Sequence, residues 1–313
     1  MTGKIPLLVI HGISDAHRAL VARTYDVTYA PTPSQRAEAI SAHGASFRAV
    51  LTIGSIGLTA AEIDAMPALE VICAMGAGYE NIALDAARAR GIAVANGAGT
   101  NDDCVADHAF GLLIAAVRGI VRLDRQCRDG VWRDALGMPP NVSGKRLGIL
   151  GLGTIGQKIA RRAAGFDMDI GYHNRRPRDG VAHRYFDSLQ ALAAWADFLV
   201  VATPGGAATK HLVDAAVIDA LGPQGVLVNI ARGSVVDTEA LAAALRDGRL
   251  ASAGLDVYES EPKPPAPLVG LDNVVLTPHV AGWSPEAVQA SIVRFLANVD
   301  GHFAGKGTVS PVP

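Results

Sequence analysis

With 313 residues, 50% hydrophobic, 19% charged and 34 of them glycine, the chain is long for one core and too apolar for disorder. A formal net charge of −2 excludes a global attraction to nucleic acid or to anionic membrane, so any anion site must be a local cluster. Cys73, Cys104 and Cys127 lie far apart and form no CxxC pattern. They read as reduced thiols of a cytoplasmic protein and signal neither a metal site nor a disulfide framework.

The opening MTGKIPLLVIHG reads as a first β-strand rather than a signal peptide, because its apolar run is short and no small-residue cleavage pattern follows. No apolar stretch reaches the ~20 residues that span a bilayer. Further strands are expected at residues 49–53, 70–73, 147–150, 169–172, 198–202, 225–230 and 251–257, with the first at 7–10. Between them lie alanine-rich segments such as 188–195 and 237–246, with apolar residues at helical spacing. Strands apolar on both faces and separated by helices predict parallel sheets covered on both sides.

Residues 101–128 break this rhythm and read as one long helix, with Asp102 and Asp103 in its first turn. A Pro- and Gly-containing stretch, GVWRDALGMPP, follows before a fresh strand, and a last strand near 274–276 precedes a final helix at 285–303. The expected organisation is a first domain of residues 1–98 plus 281–313, interrupted by a second at 99–280 that carries an arm at about 101–140.

Residues 147–150 run into Gly151-Leu152-Gly153-Thr154-Ile155-Gly156, and a helical pattern opens within the loop. Strand, glycine loop and helix in this order suit a pyrophosphate. Gly151 permits the turn, Gly153 lets the backbone approach the ligand, and Gly156 allows close packing of helix on strand. Gly97-Ala98-Gly99 and Gly76-Ala77-Gly78 lack the third glycine. His173 falls 17 positions after Gly156, near the roughly 20 at which an acidic side chain commonly reads the ribose 2′-hydroxyl. Here Asn174, Arg175 and Arg176 follow instead. They repel no phosphate and offer guanidinium forks, which favours NADP(H) while leaving NAD(H) as an accepted second cofactor.

Three later segments place polar groups just past strands: NIARG with Arg232, DVYESEP with Glu259 and Glu261, and TPHVAG with His279. Ligands of open α/β sheets bind beyond the carboxyl ends of strands, so these can converge. In this order, with the MGAGYENI loop at 75–82, the VADH segment at 105–108 and the glycine loop, the chain resembles the D-isomer-specific 2-hydroxyacid dehydrogenases over nearly its whole length.

That resemblance implies two Rossmann-like, doubly wound parallel-sheet domains, the cofactor domain inserted in the substrate domain. It implies that Arg232 binds the substrate carboxylate and C2 oxygen, that His279 is the general acid or base, and that Glu261 holds the protonated imidazole. Glu261 is preferred to Glu259 because the family's acid directly precedes the proline. On the cofactor side the resemblance adds Thr203 and Pro204 at the ribose, Ile230, and Asp256 at the nicotinamide amide. On the substrate side it adds the loop of Ser55, Ile56 and Gly57, and that of Gly76, Ala77 and Gly78, whose last two N–H groups bind the carboxylate. Trp283, where many relatives carry alanine or serine, shapes the substrate end. His108 reads as a long-helix residue and His173 as a cofactor-loop residue.

The implied activity is NADPH-dependent reduction of a small 2-keto acid, of glyoxylate or hydroxypyruvate type, to the D-2-hydroxy acid in a cytoplasmic homodimer. No metal, nucleic acid or membrane takes part. Aromatic 2-keto acids such as hydroxyphenylpyruvate are the alternative. A phosphoglycerate dehydrogenase or a cofactor-sensing binding protein fits less well, and Glu261 argues against the Gln–His pair of formate dehydrogenases.

Overall fold

The computed structural model describes residues 3–312, which fall into two units: residues 3–101 with 283–312, and Asp102–Gly282. The first unit contains strands β1 (Ile5–Val9), β2 (Tyr25–Tyr29), β3 (Ala49–Ile53), β4 (Val71–Met75) and β5 (Ala93–Ala95). Helices α1 (Asp15–Val21), α2 (Pro33–His43), α3 (Ala60–Asp64) and α4 (Leu84–Ala89) connect them. All strand pairs are parallel, in the order β2-β1-β3-β4-β5.

The second unit begins with α5 (Asp102–Arg118) and α6 (Ile120–Arg128). It continues through β6 (Arg146–Leu150), α7 (Thr154–Ala164), β7 (Asp169–His173), β8 (Arg184–Tyr185), α8 (Leu189–Trp195) and β9 (Phe198–Val201). Then come α9 (Ala215–Leu221), β10 (Val226–Asn229), α10 (Thr238–Arg246), β11 (Ser252–Leu255) and β12 (Val274–Leu276). Its parallel sheet has the order β12-β11-β10-β9-β6-β7-β8. The strand order reverses at β6, which pairs with β7 on one side and β9 on the other. The last helix, α11 (Pro285–Phe303), returns to the first unit.

Each sheet is covered twice, as expected of strands apolar on both faces. In the second unit α8, α9 and α10 pack on one face and α5 and α7 on the other. In the first, α2, α3 and α4 cover one face, while α1 and α11 cover the other through Val21, Ile292, Phe295 and Val299. Burying a side chain of this size contributes about 1.5–3 kcal/mol.

The helix expected at 101–128 is two helices. Gly119 interrupts it in the left-handed conformation, φ 62° and ψ 31°, and the chain turns by 58° there. Glycine has no Cβ to oppose that backbone. Three strands, β2, β5 and β8, lie outside the expected set, the last two of only three and two residues. No single helix among the described residues is long and apolar enough to cross a membrane.

Candidate active site

Because every strand of the second sheet is parallel, the segments after β6, β7, β9, β10, β11 and β12 all emerge at one edge. The reversal of strand order between β6 and β9 lies at this edge, where two adjacent strands lead their chains to opposite sides.

The glycine loop after β6 is shaped by its neighbours. Gly151 has φ 98°, and a Cβ there would stand 2.8 Å from the Ala202 carbonyl carbon and the Thr203 nitrogen. The loop is thereby pressed against the end of β9. At Gly156 a Cβ would run into the Gly151 carbonyl. Gly153 differs: a Cβ there would meet nothing within 4 Å. Nothing among the described residues demands glycine at 153, so the open space suits a ligand backing onto the loop. Gly153 also starts α7 without a capping side chain, whereas Ser14, Thr32, Ser188, Asp214, Asp237 and Ser284 cap other helices. The helix start thus keeps its N–H groups and positive dipole for an anion.

The segment after β7 reaches back to this loop. Asn174 Oδ1 accepts the Leu152 N–H at 2.8 Å, and Arg178 Nη1 donates to the Leu152 carbonyl at 3.2 Å. Arg175 and Arg176 between them are exposed, and among the described residues neither has a hydrogen-bonding or charged partner. Leu152, Ile230 and Asp256 are buried, the first two in the core beneath the loop. Thr154 and Pro204 are exposed, and Ile155 and Thr203 half-buried.

Arg232 follows β10 on a turn held from below by Asn229, a buried residue the sequence reading passed over. Its Nδ2 donates to the Arg232 carbonyl and its Oδ1 accepts the Ala231 N–H, both at 3.0 Å. Gly205 and Gly233, also unremarked in the sequence, are required by packing. A Cβ on Gly205 would meet Arg232 Cγ at 2.7 Å, and one on Gly233 would overlap the Tyr258 backbone. Their only sequence signal is glycine beside a strand-end turn.

His279 and Glu261 meet after β12 and β11. His279 Nδ1 lies 2.8 Å from Glu261 Oε2, while Glu261 Oε1 accepts the Tyr258 N–H at 2.8 Å. The carboxylate fixes the tautomer, Nδ1 donating, which leaves Nε2 for another partner. The hydrogen bond to Glu261 raises the His279 pKa above the usual imidazole value; burial and the Arg232 charge oppose it, and Asp256 assists. Burial pushes the Glu261 carboxyl up, but the bonds from His279 and Tyr258 and the charge of Arg232 outweigh it and hold it low. Glu259 is engaged elsewhere, 2.7 Å from His211 Nε2 and from Thr238 Oγ1. Trp283 is 74% exposed.

In the first unit the loops after β3 and β4 lock together. Asn81 Nδ2 donates to the carbonyls of Gly54 and Ser55, and Thr52 Oγ1 donates to that of Gly57, where φ is 68°. Asn96 Nδ2 donates to the Ala77 carbonyl, and Gly76, at φ 74°, accepts the Gly97 N–H. The N–H groups of Ala77 and Gly78 have no partner among the described residues. Ser55 is exposed, Ile56 half-buried.

Residues 110–281 match the family model described as D-isomer specific 2-hydroxyacid dehydrogenase, NAD binding domain. Fold and site therefore define an α/β oxidoreductase that works with a nicotinamide cofactor. The chain is 40% identical to a hydroxyphenylpyruvate reductase of Plectranthus scutellarioides over 285 residues, 91% of each chain. It is likewise 40% identical to a glyoxylate/hydroxypyruvate reductase A of Arabidopsis thaliana over 282 residues, 90% of each. The NADPH-dependent glyoxylate/hydroxypyruvate reductase of Sinorhizobium meliloti, solved with NADP and malonate, superposes with a TM-score of 0.88 at 34% identity, over 99% of this chain and 97% of that one. The chain belongs to the D-isomer-specific 2-hydroxyacid dehydrogenases.

Proposed function

We propose that the protein reduces small 2-keto acids of the glyoxylate or hydroxypyruvate type with NADPH, and that His279 supplies the proton. The observation that carries this reading is the His279–Glu261 pair, at 2.8 Å, on the strand-end edge that also presents Arg232. The bound cofactor supplies hydride to C2 of the keto acid. Negative charge then develops on the C2 oxygen, where an imidazolium Nε2–H can protonate it. Glu261 keeps His279 charged until that moment and restores its orientation afterwards. Arg232, with a planar fork of N–H donors matched to two oxygens, suits the carboxylate. The open N–H groups of Ala77 and Gly78 suit an anion of the same kind, and we assign the loops at 55–57 and 76–78 to substrate binding. Trp283 is assigned to the substrate end as a limit on side-chain size.

Gly151–Gly156 and the start of α7 take the pyrophosphate. Asn174, Arg175 and Arg176 take the 2′-phosphate, because no carboxylate stands there to repel it. Thr203, Pro204, Ile230 and Asp256 complete the cofactor set. The relatives named for glyoxylate and hydroxypyruvate support the small substrate, and the one named for hydroxyphenylpyruvate keeps aromatic keto acids as the second reading. On the domain level, we assign cofactor binding to the inserted unit and substrate binding to the other. Cysteines without disulfides fit a cytoplasmic setting. A homodimer formed through the arm fits the exposure of Ile120, Val121, Trp132 and Met138.

The test is a panel of 2-keto acids from glyoxylate to hydroxyphenylpyruvate, assayed with both cofactors, on the parent and His279→Ala. The small acids with NADPH should give the highest kcat/KM, and His279→Ala should lose about two to four orders of magnitude in kcat. A mild loss would assign the proton to another group.

A further inference from the structure

We propose that Asp256, tied through Thr277 to His108, is the positioning residue that holds His279 in its working conformation; this deepens the reading above and rests on it for the role of His279. His279 has φ 54°, a left-handed backbone that residues with side chains avoid. Such a conformation persists only when its surroundings over-determine it. Asp256, 1% exposed, supplies that constraint three times over. Its carbonyl accepts the His279 N–H at 2.8 Å, its Oδ1 the Val280 N–H at 2.9 Å, and its Oδ2 the Ala281 N–H at 2.8 Å. Three successive amides of the turn are thus gathered by one residue from the neighbouring strand end.

The carboxylate is fixed in turn. Thr277 Oγ1 donates to Asp256 Oδ1 at 2.6 Å, and His108 Nε2 lies 2.9 Å from the same hydroxyl. With the hydroxyl proton given to Asp256, Thr277 must accept from His108 Nε2–H, which sets the direction of the chain from α5 to the turn. The Tyr258 hydroxyl donates to the Thr277 carbonyl at 2.7 Å, so both ends of Thr277 are held. The charged groups facing His279 are Glu261, Arg232 and Asp256. Only Glu261 bonds its ring; Asp256 acts on its backbone and decides where the ring stands relative to Glu261.

Replacing Asp256 itself leaves buried amides unpaired and threatens folding, so the test uses Thr277→Val, which keeps the shape and removes the hydroxyl, and Thr277→Ser, which keeps the hydroxyl. The His279 imidazole is titrated by NMR in the ligand-free protein, and kcat is measured alongside with saturating NADPH and glyoxylate. In Thr277→Val the pH at which His279 loses its proton should fall, and kcat should drop roughly 10- to 100-fold, with the far-UV spectrum unchanged. Thr277→Ser should restore both. The proposal is overturned if the Val variant titrates like the parent, or if Ser fails to recover what Val loses. A shifted titration with unchanged kcat supports the positioning role and overturns instead the assignment of His279 as proton donor.

Discussion

Asn174 and Arg178 both reach back to the buried Leu152, one accepting its N–H and the other donating to its carbonyl. Arg175 and Arg176, between them, hold nothing among the described residues. Asn174 Oδ1 and Arg178 thus clamp the glycine loop, while the arginine pair, with the Asn174 amide N–H beside it, is left for a ligand. Losing the pair should raise the KM for NADPH about tenfold or more, since a hydrogen bond to a charged group is worth about 1.5–3 kcal/mol, and should leave NADH nearly unchanged. Arg178→Ala should weaken both cofactors alike if the loop it steadies takes the pyrophosphate they share, as proposed. Steady-state KM values for each cofactor in Arg175→Ala/Arg176→Ala and in Arg178→Ala decide it. An equal loss with NADH in the double variant would remove the 2′-phosphate assignment. The pair and the glycine loop stand out in the sequence because residue type at a fixed spacing singles them out. The clamping role of Arg178 does not, since an arginine in a turn looks the same whether it faces water or a carbonyl. Asn229, Gly205 and Gly233 were hidden likewise: their work is packing and backbone hydrogen bonding, which need the partner's position.

Among the elements, the central strands were readable because an apolar run had to be covered on both faces, and α11 because its buried residues Ile292, Phe295 and Val299 recur at helical spacing. The strands missed are peripheral. β2 buries only Tyr25, exposes Asp26 and leaves Val27, Thr28 and Tyr29 half-buried, while β5 has three residues and β8 two; all three lie at sheet edges where little apolar surface is required. Periodicity also ran straight through Gly119, because a lone glycine does not stop a helical pattern; its left-handed φ does. Beyond that break α6 buries no residue, and the segment after it exposes Trp132 by 70% and Met138 by 98%. An isolated nine-residue helix is marginal in water without packing. The arm is therefore expected to be covered by a second copy of the chain. Trp132→Ser with Met138→Ser should convert a dimer to a monomer in sedimentation while leaving the far-UV spectrum unchanged. A monomeric parent protein would end that reading.

For the whole molecule, two doubly covered sheets were legible from alternating strands and helices, but the pH behaviour of each unit depends on burial that no pattern displays. In the first unit His11 is 5% exposed, and burial lowers its pKa to about 4 against a lesser pull upward from the Gly12 carbonyl at its Nδ1. In the second, His279 is raised and Glu261 lowered. The Glu261 contribution is complete above the ordinary carboxylate value of about 4.3 and is lost as pH falls through its lowered pKa. The His279 contribution is complete below about 6.5 and is lost as pH rises through its raised one. Between those limits the pair's contribution is therefore constant. His11 behaves oppositely to His279: below about 6.5 the unfolded chain takes up a proton that the folded one refuses, so stability falls as pH drops. Acidification from pH 6.5 to 4.5 should cost the first unit on the order of 2 kcal/mol through this one group. His11→Asn keeps a donor near Nδ1 and cannot titrate. Hydrogen exchange of the β1 amides, compared at the two pH values after correction for intrinsic rates, should show the loss in the parent and a flat response in the variant. Equal losses in both would place the acid sensitivity of the first unit on another group.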